Sequence, residues 1–260
     1  MHVVTFTRST PDTAARVEVD ASGNVTWGDA ATVVNPWDEY SLEESIVQAK
    51  NTGGKATVIA VGPELHNDAL KHSIAMGLNE AVRIWQDDLK YTDSLTWATV
   101  AAAAIKKLDD VQLVILGKES VDVQTDQHHV QLARKLGWAM LSYVSKILEL
   151  DPAAGTIKVE KTLEQGKQIV TARLPVVISV MKGINEPRYP SFIGIRKASK
   201  AEIPVWSAAD LNVAVPSAGT SIDSYENPPS RDITTEIIEG DSVEAKATKL
   251  VDKLLEEKVL

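Results

Sequence analysis

The stretch closest to carrying chemistry is Gly117-Lys118-Glu119-Ser120-Val121-Asp122-Val123-Gln124-Thr125-Asp126-Gln127-His128-His129. It joins an unbroken apolar run, residues 111–116, to a helical pattern that stops at Gly137. A polar loop leading from a buried strand into a helix N-terminus offers free backbone N–H groups. With the positive end of the helix dipole, these favour a phosphate. A solvated crossover loop explains the same residues equally well. Bond-making chemistry finds less support. There is no Gly-rich dinucleotide fingerprint and no Walker-type phosphate loop. Asp122 and Asp126 lie near no nucleophile. His128 and His129 are adjacent, so on a helix they diverge by ~100° and chelate poorly. His66 and His72 do not share a face well. The chain has no cysteine, which excludes disulfides, thiolate metal sites and a thiol nucleophile. No metal site is expected, and the pattern points to binding.

A second stretch is informative for the opposite reason. Ile184-Asn185-Glu186-Pro187-Arg188-Tyr189-Pro190-Ser191-Phe192-Ile193-Gly194-Ile195-Arg196-Lys197-Ala198 follows a run, residues 174–180, that reads as a buried strand. Pro187 and Pro190 each fix φ and remove a backbone donor, and Gly183 and Gly194 bracket the segment. A loop this stiff that carries Tyr189, Phe192, Ile193 and Ile195 must fold its apolar groups back onto the core or offer them to a partner.

The elements that must hold these stretches alternate. Residues 3–7 read as a strand, and residues 8–34 as irregular. Asn35-Pro36-Trp37-Asp38-Glu39 is a strong helix start, with a capping Asn, Pro in the first turn and acids beside it. Leu42, Ile46 and Ala49 continue that helix until Gly53-Gly54. Strands at 56–61, 81–85 and 111–116 alternate with helices at 64–76, from Asp93-Ser94 to Leu108, and from Thr125 or Asp126 to Leu136. The middle one has an Ala-rich inner face: Ala98, Ala101, Ala102 and Ile105. Unbroken apolar strands alternating with helices indicate an α/β fold: a doubly wound, mainly parallel sheet. Runs at 143–150, 156–163 and 169–180, joined by short turns, read as antiparallel hairpins added to it. Residues 205–240 carry Pro216, Pro228 and Pro229 without amphipathic period and read as an extended arm. Asp241-Ser242 caps a last helix, with Val243, Ala247, Leu250 and Leu254 as its stripe. The expected division is a nucleotide-binding domain over 1–204, with the loop at 183–200, and a C-terminal arm and helix over 205–260.

Composition narrows the classes further. The 260 residues carry a net charge of −9 and a sequence pI near 5.1, against the basic stripe a nucleic-acid surface needs. No apolar run approaches the ~20 residues that span a bilayer. The N-terminus lacks a signal peptide's basic start and small-residue cleavage site, so a cytoplasmic location is expected.

Several of these motifs, in this order, resemble the small (beta) subunit of electron-transfer flavoprotein. Asn-Glu-Pro-Arg-Tyr-Pro-Ser with Ile195-Arg196-Lys197-Ala198 is similar to the family's signature, and Asn35-Pro36 with Glu39, Glu43 and Glu44 is similar to a second segment. Ala75-Met76-Gly77, Leu116-Gly117-Lys118-Glu119-Ser120-Val121-Asp122, Leu136-Gly137-Trp138 and Leu174-Pro175-Val176-Val177 add four weaker likenesses. The resemblance implies an adenine-nucleotide-binding, Rossmann-like domain. It implies an electron-carrier subunit rather than an enzyme, paired with an alpha subunit that holds most of the FAD. Electrons would pass from a flavin-dependent dehydrogenase, such as an acyl-CoA dehydrogenase, to a membrane quinone reductase or other acceptor. It also implies a structural AMP. Carried over by position, the AMP site is Phe6, Asn35, Pro36, Trp37, Asp38, Val61 and the run from Gly117 to His128. The docking loop is Asn185, Glu186, Pro187, Arg188, Tyr189, Phe192, Ile193, Ile195 and Lys197, with Phe192 as anchor and Arg188 near the flavin. The chain departs from the family at Asp126, His128 and Phe6, so an empty or differently filled pocket is the alternative. A nucleotide-binding regulatory or stress-type α/β protein, and a nucleotide hydrolase or synthetase of the same superfamily, are the other readings.

Overall fold

The computed structural model describes residues 1–125, 127–215, 217–229 and 235–259. In chain order the elements are β1 (His2–Phe6), β2 (Ser9–Pro11), β3 (Glu18–Val19), β4 (Val25–Thr26), β5 (Thr32–Val34), α1 (Pro36–Asn51) and β6 (Lys55–Val61). Then come α2 (Asn67–Met76), led by a 3-10 turn at Glu64–His66, β7 (Glu80–Ile84), α3 (Ser94–Lys107), β8 (Val111–Gly117) and α4 (Gln127–Leu136). The rest is β9 (Ala139–Asp151), β10 (Thr156–Leu163), β11 (Gly166–Arg173), β12 (Val176–Val180), α5 (Phe192–Ser199), β13 (Val205–Trp206) and α6 (Val243–Glu256).

One sheet organises the chain, in the order β11-β10-β9-β12-β8-β1-β6-β7-β13. From β12 to β13 every pairing is parallel. The central strands are buried on both faces, which is why they read as continuous apolar runs. Val3, Val58, Leu113 and Ile178 face α1 and α2, whereas Val4, Ile59, Val114 and Val177 face α3 and α4. Leu42, Ile46 and Ala49 are buried as their spacing requires. Ala98, Ala101, Ala102 and Ile105 bring α3 close to the sheet. β1 lies between β6 and β8, so the chain order reverses there. In such sheets this switch point opens a crevice beyond the carboxyl ends of the strands.

Three details differ from the sequence reading. The run 169–180 is two strands. β11 is antiparallel to β10, whereas β12 is parallel to β8 and β9. The break falls at Leu174-Pro175, where proline has no N–H for the ladder. β9 is long and serves two neighbours: Ala139–Val144 run parallel to β12, and Val144–Asp151 pair antiparallel with β10. Residues 205–215, read as the start of an arm, join the domain. β13 extends the sheet beside β7, and Ala208 and Leu211 are buried.

The chain forms two compact units, Met1–Ser224 and Tyr225–Leu260. In the second, α6 is capped by Ser242, whose Oγ accepts from Ala245 N–H at 3.1 Å, and it buries no residue. Pro216, Asp126 and residues 230–234 lie outside the described residues. Among the described residues no helix is long and apolar enough to cross a membrane.

Candidate functional site

Asn35 separates β5 from α1. Its carbonyl accepts from Asp38 N–H at 2.8 Å to start the helix, and Pro36 fills the first turn, where a missing N–H costs nothing. The side chain was expected to cap the helix, and it does not. Its Nδ2 donates to the Glu119 carbonyl at 2.9 Å, and its Oδ1 accepts from Val121 N–H at 3.1 Å. Asn35 thus stitches the crossover loop after β8 to the start of α1. Gly117 permits this approach. A Cβ there would stand 2.6 Å from Asp38 Oδ1 and 2.7 Å from the Trp37 carbonyl carbon. Lys118 lies over the Trp37 ring, 5.2 Å from its centroid.

Deeper in the crevice, Phe6 meets Trp97 of α3 at 4.9 Å, and Trp97 meets His128 of α4 edge-on at 4.7 Å. Arg8 Nη2 pairs with Asp122 Oδ2 at 2.6 Å, and the Ser120 hydroxyl bonds Asp122 in turn. Burial pushes the Asp38 carboxyl up to about 7, against the opposing pull of Asn35 and Arg8. Burial, reinforced by the Arg8 charge, pulls both His66 and His128 down to about 4. His66 Nδ1 accepts from Ser9 N–H at 3.2 Å, so its proton sits on Nε2. That atom, Thr7 Oγ1, Arg8 Nε and Arg83 Nε are buried without a hydrogen-bond partner among the described residues.

The structure therefore brings together Phe6, Asn35, Pro36, Trp37, Asp38, Gly117–Asp122 and His128. Val61 is buried at the end of β6. Val123 and Gln124 are exposed on the loop and Gln127 at the start of α4, and the Thr125 carbonyl accepts from Ser120 N–H at 3.2 Å. Asp126 lies outside the described residues. Sequence reasoning missed Arg8, His66 and Trp97. A usable signal existed for the first two: Arg8 lies just past the end of β1, and His66 follows the Gly62-Pro63 turn that ends β6. Among the described residues no group of three or more His, Asp or Glu side chains could hold a metal.

The second stretch splits into an irregular segment, residues 185–191, and α5. Ser191 caps α5, its Oγ accepting from Gly194 N–H at 3.0 Å. The apolar groups are not folded back onto the domain. Tyr189 is 94 % exposed, Phe192 84 %, Ile193 81 % and Ile195 53 %. Lys197 and Glu186 are also exposed.

A doubly wound parallel sheet with a charged, aromatic-walled crevice at its strand ends defines a Rossmann-like α/β protein. The chain belongs to the electron-transfer flavoprotein family, among its beta subunits; the model of the electron transfer flavoprotein domain matches residues 27–211. It is similar to the electron transfer flavoprotein subunit beta of Clostridium acetobutylicum, 34% identical over 214 residues, covering 82% of this chain and 81% of that protein. It is also similar to the caffeyl-CoA reductase-Etf complex subunit CarD of Acetobacterium woodii, 30% identical over the full length of both. The protein FixA of Azorhizobium caulinodans is 30% identical over 217 residues, covering 82% of this chain and 77% of that protein.

Proposed function

We propose that this chain is the small subunit of a heterodimeric electron-transfer flavoprotein. It docks a flavin-dependent dehydrogenase and passes its electrons through an FAD held mostly by the alpha subunit. The observation that carries this is the exposure of Tyr189, Phe192, Ile193 and Ile195 on a proline-stiffened segment and a short helix. Large apolar groups left in water together mark a protein-binding surface. A single aromatic anchor can dominate a small contact that must release quickly. Phe192 is the anchor; Asn185, Glu186, Pro187, Arg188 and Lys197 complete the docking loop. The acceptor, a membrane quinone reductase or another oxidant, lies downstream of the complex.

The partner reading extends to the C-terminal part. The amphipathic stripe of α6, with Val243, Leu250 and Val251 exposed, is meant for the alpha subunit. On this view residues 205–260 serve as the clasping arm, although 205–215 also complete the sheet edge.

The crevice is proposed to hold a structural AMP. The chemistry fits an adenylate: Phe6, Trp97 and His128 give ring walls, and Thr7 Oγ1, Arg8 Nε and His66 Nε2 are buried with bonding capacity unused. The run from Gly117 to His128 would hold the phosphate side, with Asn35, Pro36, Trp37, Asp38 and Val61 opposite.

Co-expression with an alpha subunit is expected to yield a yellow heterodimer, read by flavin absorbance. A colourless homo-oligomer under those conditions would refute the carrier reading. Nucleotide extracted from the denatured complex is expected to include AMP, and its absence ends that part of the proposal alone.

A further inference from the structure

Two acidic side chains of α1, Glu43 and Glu44, take no part in the crevice, yet each is only 6 % exposed. A buried carboxylate is costly unless it is paired and hydrogen-bonded. Glu43 is paired with Arg188 of the docking loop, and Glu44 is hydrogen-bonded by Gln48 of α1 and by Asn185 of the docking loop. Glu43 Oε1 accepts from Arg188 Nη2 at 2.7 Å, and its Oε2 accepts from Arg188 Nε at 2.7 Å and from the Arg188 backbone N–H at 3.2 Å. This is a two-pronged guanidinium–carboxylate fork, the geometry that adds direction to charge. Glu44 Oε2 accepts from Asn185 Nδ2 at 2.9 Å, and Asn185 Nδ2 also donates to the Tyr40 carbonyl at 3.0 Å.

The far end of the loop is seated separately. A Cβ on Gly194 would stand 2.1 Å from the Ala75 carbonyl oxygen, so α5 rests directly on the end of α2. The loop is thus fixed at one end by two buried acids and at the other by a glycine contact. Between these fixings lie Tyr189, Phe192 and Ile193, each more than four-fifths exposed.

We propose that Glu43, supported by Glu44 on Asn185, is a positioning residue for dehydrogenase recognition. It holds Arg188, and through it the segment 185–191, in the docking conformation before the partner arrives. The inference rests on the docking reading above. Ordering a loop in advance removes that cost from binding. Glu43→Gln keeps the shape of the side chain but removes its charge and turns one of the two accepting oxygens into a donor, so the fork to Arg188 cannot form.

The test uses the heterodimer and a panel of flavin-dependent dehydrogenases that begins with acyl-CoA dehydrogenases. The panel member that reduces the wild-type complex is the probe. Glu43→Gln is expected to raise the KM for that dehydrogenase roughly tenfold, with kcat at saturation and FAD content unchanged. Trypsin is expected to cut after Arg188 faster in the variant. A merely structural role would lower Tm without separating KM from kcat.

Phe192→Ala is measured alongside. If it reduces as fast as wild type, the docking reading fails and the positioning role with it. If it is impaired while Glu43→Gln shows wild-type KM and wild-type trypsin cutting, docking stands and the positioning role is overturned. Should Glu43→Gln not assemble, Arg188→Lys replaces it, keeping the charge without the fork. A raised KM then supports the proposal, and an unchanged one overturns it.

Discussion

The crevice at the strand ends and the docking loop lie at successive turns of the same helix, α1, and solve opposite problems. The crevice gathers polar groups: Arg8, Asp122 and Ser120 bond in sequence, Asn35 holds the Glu119 and Val121 backbone, and the ionisable groups Asp38, His66 and His128 are pushed toward neutrality by burial. The loop is open, with its large apolar side chains in water and Asn185 and Arg188 bonded back to α1. The first turn of α1 meets the crevice through Asp38, and the next two hold the loop through Tyr40, Glu43 and Glu44. A change in the crevice should therefore register as stability, and a change at the loop tip as partner kinetics.

The largest effect that tests this contrast is Phe192→Ala. An aromatic anchor is worth about 2 kcal/mol or more, so kcat/KM for the dehydrogenase should fall roughly thirtyfold. Tm should not move, because the ring is already solvated; a large Tm fall would erase the distinction. Gly194→Ala comes next and sharpens it, since it strikes the loop's seat rather than its tip. The new methyl overlaps a backbone carbonyl, costing about 2 kcal/mol for overpacking. Both Tm and docking should suffer, the first read by calorimetry and the second by flavin reduction.

Asn35→Ala acts on the crevice alone. It removes the two hydrogen bonds that hold Glu119 and Val121, at a cost of about 2 kcal/mol, or a Tm fall of about 5 °C at this chain length. Reduction by the dehydrogenase should be unchanged at a temperature where the variant is folded.

The remaining effect depends on pH. Asp38 titrates near 7 in the folded protein, against about 4 when unfolded. Its contribution to stability is complete below the unfolded value and is lost as pH rises toward 7. Asp38→Asn lacks that slope. The variant should be more stable than wild type by up to about 4 kcal/mol at pH 8, and the gap should close toward pH 4. Thermal melts across that range decide it; a constant difference would mean that Asp38 is not the titrating group. His66 and His128 act the other way, since their stability is present above their ordinary value and lost as pH falls through about 4.

Much of the fold could be read directly from local patterns. The strand at 111–116, the Ala-rich face of α3 and the spacing of Leu42, Ile46 and Ala49 each record burial in the chain itself, because periodicity is set by the geometry of one element. Asn35 shows the limit. The residue type and position suited a helix cap, but a loop far along the chain offered its side chain better partners. Glu43 and Glu44 show it again. On a helix, adjacent acids resemble a solvated face, and only the return of residues 185–188 to α1 makes them buried. Arg8 stood just past a strand end, but its role emerged only when Asp122 came to pair with it.

What the amino-acid order decided by itself is the alternation of strands and helices, the parallel sheet it implies, and the stiff apolar segment around Pro187 and Pro190. Folding in three dimensions decided which polar groups meet, since hydrogen bonds and ion pairs join residues that the sequence keeps far apart. It also decided that Tyr189 and Phe192 stay in water while Arg188, between them and the strand, turns inward to a buried carboxylate.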